Sequence, residues 1–258
     1  MSGNNKIVYN SHSVVNEYKE KLFLFKSEKN LINLLKNRND LTSMLDIGIG
    51  TGRTTHFFSK FFKKYIGIDY ASEMINISKT KYSANKNCSF YTLDATDMQI
   101  FEDNTFDFIL FSFNGLDCVS FTERIKILKE IKRIAKPNAL FSYSTHNIYN
   151  IPKLFSFRLP RNPFNFQSEL RRYKKINKIN KSYNELINED YVIIADGDID
   201  FTVKYYYCNI NFEIDMIKKL GYKIKDLQSL KTGETFKINT NWEKITTPWI
   251  QIISNVEK

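Results

Sequence analysis

Leu45-Asp46-Ile47-Gly48-Ile49-Gly50-Thr51-Gly52-Arg53 decides the fold. The apolar run 43–48 ahead of it suits a buried strand, and 53–62 behind it has a helical pattern. Glycines at such a junction let backbone come close to a ligand, and the free N–H groups of a helix N-terminus face the same point. The next apolar run, 65–69, ends in Asp69 about 20 residues after the loop, where a carboxylate can accept hydrogen bonds from two ribose hydroxyls.

The same rhythm continues outward. A helix is predicted over 72–81 with Ser72 as its N-cap, strands over 88–93 and 106–113, and an amphipathic helix over 122–135 carrying Ile125, Leu128, Ile131 and Ile134. Lys136-Pro137-Asn138 stops that helix, and 139–145 is the next strand. Repeated strand–helix alternation predicts an α/β fold: a Rossmann-like, doubly wound, mostly parallel sheet with helices on both faces. Before the loop, 11–36 has helical spacing. After Asn147 the rhythm breaks. Residues 148–188 are irregular, aromatic and basic. Segments 191–195 and 200–207 flank Asp196-Gly197-Asp198 as a hairpin turn. A helix over 212–220 closes at Gly221, and 222–227 and 249–254 are closing strands, one of them antiparallel. One domain over 1–258 results: a helical cap 1–40, a ligand-binding core 41–147, an insert 148–207 and a closing part 208–258.

The chain has 258 residues, 42% hydrophobic and 15% aromatic, enough for a substantial core. Its net charge of +10 suits nucleic acid, an anionic membrane surface, a phosphorylated small substrate, or simply a Lys-rich solvated surface. Arg171-Arg172-Tyr173-Lys174-Lys175, continuing to Lys181, is the densest basic run: a solvated face, a grip on an anionic small molecule, or an RNA contact. Cys88, Cys118 and Cys208 form no CxxC pair, so neither disulfides nor zinc are expected and a cytoplasmic setting fits. His12, His56 and His146 share no ligand spacing, so no metal is expected. Residues 1–10 lack the apolar stretch of a signal peptide, and no apolar run approaches the roughly 18 residues of a membrane span, so no membrane partner is expected.

The glycine loop fits both a dinucleotide and S-adenosylmethionine (SAM). A dinucleotide loop wants a third glycine where Arg53 stands. Asp46, two residues before the first glycine, would repel a pyrophosphate but could accept from an ammonium group. SAM has an amino group and a sulfonium and no phosphate, so charge favours SAM.

In ordered series over 44–145 the sequence resembles the class I SAM-dependent methyltransferases. Leu45–Gly52 is similar to their first motif, and Gly67-Ile-Asp69-Tyr-Ala-Ser-Glu-Met74 to their second-strand segment. Leu93-Asp94-Ala95-Thr96-Asp97-Met98 is similar to the third, whose acid reads the adenine amino group in the family. Residues 106–114 resemble the segment beside the methionine part, and 128–137 the lead into the fifth strand. Phe113-Asn114-Gly115 is unlike the Asn/Asp-Pro-Pro-Tyr set of base amino-methyltransferases. More loosely, the C-terminal third is similar to methyltransferases of bacterial surface-sugar and capsule pathways.

Asp46, Gly48, Gly50, Gly52, Arg53, Asp69, Tyr70, Met74, Asp94, Ala95, Thr96, Phe111, Ser112 and Phe113 are the expected cofactor residues. Tyr9, Tyr18, Asn114, Asn147 and Tyr207 are the expected acceptor contacts. His146, at the carboxyl end of the fifth strand, is the expected base, since its ordinary pKa of about 6.5 suits proton removal near neutrality. The expected activity is methyl transfer to an oxygen or nitrogen of a small acceptor, with nucleotide-linked, sugar- or phosphate-bearing molecules as candidates. An RNA methyltransferase and a non-catalytic SAM-binding protein are the alternatives, and oligomeric state is open.

Overall fold

The computed structural model describes residues 2–38 and 40–258; Met1 and Asn39, within the expected N-terminal cap, lie outside them. The strands are β1 (Ser43–Ile47), β2 (Lys64–Asp69), β3 (Cys88–Thr92), β4 (Phe106–Phe111), β5 (Ala135–Asn147), β6 (Tyr191–Ile194), β7 (Tyr205–Cys208), β8 (Tyr222–Ser229), β9 (Thr235–Phe236) and β10 (Trp249–Val256). They form one sheet in the order β3-β2-β1-β4-β5-β10-β8-β9, with the β6–β7 hairpin joined to β5 through β7. From β3 to β5 the pairing is parallel, and β10 lies antiparallel between β5 and β8. This is the expected Rossmann-like α/β sheet with its antiparallel closure.

β1 is buried at every position, as a strand covered on both faces must be. Its alternate side chains serve two core layers. Leu45 and Ile47 point to the layer of α6 (Phe121–Ile134) and α10 (Ile210–Lys219), with Leu128, Ile131 and Ile214. Met44 points to the layer of α3 (Lys26–Leu35), α4 (Thr55–Phe58) and α5 (Ser72–Lys81), with Leu31, Phe58 and Ile75. Helices therefore cover both faces. α6 begins at a capping box in which Ser120 accepts from Glu123 N–H and the Glu123 carboxylate accepts from Ser120 N–H.

The ends of the chain depart from the sequence expectation. The helical stretch 11–36 is divided between α2 (His12–Lys19) and α3, with α1 (Ser2–Tyr9) ahead of them. Ser72 is the first residue of α5 and not its cap; Ala71 precedes it, and Asp69 Oδ1 accepts the Ala71 N–H at 2.9 Å. The irregular stretch contains α7 (Ile151–Phe155), α8 (Phe166–Ile179) and α9 (Tyr183–Leu186). α8 buries one residue fully, Ile176, so its period is nearly silent in the apolar pattern. β6 and β7 do form a hairpin, but Ile194 pairs with Tyr205, so 195–204 is a long connection and not a tight turn.

Arg124 of α6 is completely buried. Its guanidinium meets Asp117 Oδ1 at 2.8 Å and Glu213 of α10, and the Tyr206 ring lies 4.3 Å away. Tyr143 donates to Glu213 at 2.7 Å, and Thr145 to Asp117 at 2.9 Å. Replacing the arginine strands two buried carboxylates, so Arg124→Met is expected to cost about 3–5 kcal/mol. Urea unfolding monitored by circular dichroism checks this; a loss below about 1 kcal/mol, within the range of ordinary surface ion pairs, contradicts it.

Candidate active site

The ends of β1, β2 and β4 open onto a cavity. Ile47, Gly48 and Gly50 form one wall, and Ile68, Asp69, Tyr70 and Met74 the next. Leu93, Asp94 and Ala95 continue it, then Phe111, Ser112, Phe113 and Gly115. Tyr9 and Tyr18 from α1 and α2 close it above, and Cys118, Val119 and Ile127 line it from the α6 side.

Gly50 has φ +56, and a Cβ placed there would meet nothing within 4 Å: the backbone is bare toward the cavity. Gly52 does not line the cavity; a Cβ there would come within 2.4 Å of Tyr82. Asp69 Oδ2 accepts the Gly50 N–H at 2.9 Å, tying the second strand to the loop. Burial raises its pKa against these N–H donors. Asp94 Oδ1 accepts from the Thr96 N–H and hydroxyl, both at 2.8 Å, leaving Oδ2 without a partner among the described residues. Thr96 thus orients Asp94 without lining the cavity itself. An open glycine backbone and strand-end acids suit a ligand with ribose hydroxyls and an amino-bearing base, as SAM has.

Several expected contacts lie elsewhere. Asp46 is fully buried, and Thr54 and Tyr65 hydroxyls each donate to its Oδ2 at 2.6 Å. Its Oδ1 has no partner, and burial pushes its carboxyl up to about 6. Arg53 forks onto Glu28 at 2.6 and 2.8 Å and donates to Ser112 Oγ at 3.1 Å, so it braces the wall instead of forming it. The third-glycine position is thereby filled by a strut to α3.

Phe113 and Asn114 are both left-handed, with φ 51 and 57, a conformation costing roughly 1–2 kcal/mol for a residue with Cβ. Asn114 N–H donates to Ser144 Oγ at 2.7 Å, and Asn114 Nδ2 lies 3.3 Å from His146 Nε2. His146 Nδ1 lies 2.7 Å from Asp117 Oδ2, which also accepts the His146 backbone N–H at 2.8 Å. A carboxylate only accepts, so Nδ1 carries the hydrogen, and Nε2 pairs with the Asn114 amide. Both ring nitrogens are occupied, the ring stacks on Tyr207 at 4.4 Å, and the residue is 6% exposed. Neither His146 nor Asn114 lines the cavity. The expected base is on the right side of the sheet but one layer behind. Asn147 donates to the Ile245 and Thr247 carbonyls, and Tyr207 donates to Asp196 at 2.9 Å; neither reaches the cavity.

Tyr9, Tyr18, Tyr70 and Cys118 are the ionisable cavity groups besides Asp69 and Asp94, and burial pushes all four well above their ordinary pKa. Tyr9 OH lies 3.1 Å from Tyr205 OH, which donates at 2.5 Å to the exposed Asp198. Cys118 carries no sequence motif, and Tyr205 belongs only to the Tyr205–Tyr207 string of the loose C-terminal resemblance. Of the three cysteines none is disulfide-bonded, and no group of three or more metal-ligating side chains occurs among the described residues.

Asp46 carries a pH dependence. Its carboxyl titrates at about 6 folded against 3.8 unfolded, so the folded chain holds the extra proton between these values. Stability therefore falls as pH rises through about 4 to 6. Relative to Asp46→Asn, the native protein should lose about 2–3 kcal/mol between pH 4 and pH 7. Urea unfolding at both pH values checks this; a pH-independent difference contradicts it.

Residues 44–138 match the family model of a methyltransferase domain. Demethylmenaquinone methyltransferases of Staphylococcus aureus are 33% identical over 102 residues, which is 38% of this chain; the match spans 41% of the relatives' length. Among solved structures, a SAM-dependent methyltransferase from Clostridium acetobutylicum superposes with a TM-score of 0.64 at 15% identity, covering 92% of this chain and 93% of that one. One from Methanosarcina mazei gives 0.57 at 19% identity, covering 87% and 97%. The segment 44–138 is thus similar to a methyltransferase domain, and the fold is the one that the SAM-dependent methyltransferases above share.

Proposed function

We propose that the protein transfers a methyl group from SAM to an oxygen or nitrogen atom of a small acceptor. The observation that carries this is the cavity in which the bare Gly50 backbone, Asp69, Asp94 and the left-handed Phe113 meet. In this reading Asp69 holds the ribose hydroxyls, and Asp94 and Ala95 read the adenine with Met74 against the ring. Gly48, Gly50 and Ser112 face the methionine part. Tyr9, Tyr18 and Phe113 form the acceptor side. Bound SAM supplies a methyl group already activated on sulfur. The protein aligns the nucleophile with it and removes a proton where the nucleophile carries one.

For that proton, Tyr9 takes the role expected of His146. Its hydroxyl oxygen accepts the acceptor's proton while its own passes to Tyr205, and the Tyr205 proton passes to the Asp198 carboxylate. The hydroxyls stay neutral throughout, as their burial favours. His146 acts as a positioning residue, holding Asn114 and through it the Phe113 turn.

No lysine, arginine or histidine lines the cavity. A phosphate or nucleotide-linked portion of the acceptor would therefore lie outside it. A cytoplasmic setting and a surface-sugar acceptor belong to this same proposal, and turnover of SAM with a panel of nucleotide sugars tests them.

Asp69→Ala should weaken SAM binding by about 1.5–3 kcal/mol, the range for a hydrogen bond to a charged group. Calorimetry on the folded variant checks it, and unchanged affinity refutes the assignment. Tyr9→Phe should lower kcat by about 10²-fold or more with a hydroxyl acceptor while leaving SAM affinity unaltered. Near-normal kcat in that variant removes the relay.

A further inference from the structure

The most exposed large apolar side chains lie away from the cavity, on the turn leading into α8. Phe164 is 94% exposed and Leu159 81%. Both belong to a built turn: Pro160 and Pro163 restrict it, and the Asn162 side chain accepts the Phe164 N–H at 3.1 Å. The nearby Phe157 packs on Phe166 and Tyr173, and among the described residues no ring contact engages Phe164.

Cations flank this tip and run along α8. On α8, Arg172 and Ile176 face inward, Arg172 donating to the Leu154 and Ser156 carbonyls. The opposite stripe is Arg171, Lys174 and Lys178, spaced i, i+3, i+7. All three are exposed, as are Arg158 and Arg161 beside the tip, and none has an ion-pair partner among the described residues. Glu169 is the one acid between 157 and 181, and Arg172 engages it at 2.6 Å.

We propose that this face docks the protein on an anionic phospholipid bilayer. Leu159 and Phe164 enter the boundary between headgroups and acyl chains, and the α8 stripe lies against the lipid phosphates. Protruding apolar residues flanked by exposed cations are what interfacial binding requires. Nucleic acid fits less well: Leu159 offers no stacking surface, and the partly exposed Phe166 and Tyr173 pack edge-on with Phe157 instead of standing as free platforms for bases. Attachment is peripheral, because no helix among the described residues is long and apolar enough to cross a membrane. The sequence expectation of no membrane partner, which rested on spanning length, does not extend to this surface.

Vesicle sedimentation tests the proposal. The protein should bind phosphatidylglycerol-containing vesicles and not pure phosphatidylcholine, with binding lost at high salt. Leu159→Ser with Phe164→Ser should reduce binding about tenfold or more. Arg171→Gln, Lys174→Gln and Lys178→Gln should each reduce it by about fivefold. Unchanged circular dichroism and melting show that these surface variants fold. In Phe164→Trp, tryptophan emission should shift to the blue on adding anionic vesicles. Absence of vesicle binding, or full binding by the double serine variant, overturns the proposal. So does unshifted emission of the Phe164→Trp variant accompanied by tight binding of a single-stranded RNA oligomer, which would assign the face to nucleic acid.

Discussion

A guanidinium with no exposed surface can exist only where its charge is matched on the spot. Arg124 meets this condition by drawing Asp117 from the loop after β4 and Glu213 from α10 against α6. The consequence travels outward. Asp117, held by Arg124, fixes His146 through two hydrogen bonds; His146 pairs with the Asn114 amide; and Asn114 fixes the left-handed turn that presents Phe113 to the cavity. Each link is buried, so each would leave an unmatched polar group if its neighbour were lost. The shape of the Phe113 end of the cavity thus depends on an ion pair that does not line it.

The two ends of the cavity are built differently. The end assigned to the nucleoside comes from consecutive segments, with strand ends at Asp69 and Asp94 and the loop at Gly50. The other end gathers Tyr9 and Tyr18 from the first helices, Phe113 from the middle, and Tyr205 behind Tyr9 from the hairpin. Known relatives match this chain over 102 residues, and the family model stops at residue 138. The first kind of end lies within the matched segment, whereas Tyr9, Tyr18 and Tyr205 of the second lie outside it.

The sequence was most legible where a local rule acts. Glycines between a strand and a helix, and acids at strand ends, mark the ligand side of a parallel sheet; Gly48, Gly50, Asp69, Tyr70, Met74, Asp94 and Ala95 all line the cavity. It was least legible where a partner far along the chain decides. Residue 146 ends its strand on the correct side, yet nothing near it announces that Asp117 and Asn114 will occupy both nitrogens. Arg53 follows the loop as a ligand residue would, but Glu28 claims it. Ile199, Asp200 and Phe201 adopt positive φ in succession, a conformation for which non-glycine residues carry no compositional signal. α8 escaped because a helix facing solvent on most sides has scarcely any apolar period to read.

The place of β10 has a consequence for the order of assembly. Although Trp249–Val256 is the last strand in sequence, it is an interior one, with β5 on one side and β8 on the other. Until it emerges from the ribosome, β5 and β8 each display an open edge of unpaired N–H and C=O groups, a template for unwanted strand pairing. The sheet from β3 to β5 can form from contacts close in sequence, but sealing it waits for a segment more than 100 residues downstream of β5. Such long-range closure slows folding, so the nascent chain passes through a period of adhesiveness that the finished molecule no longer shows.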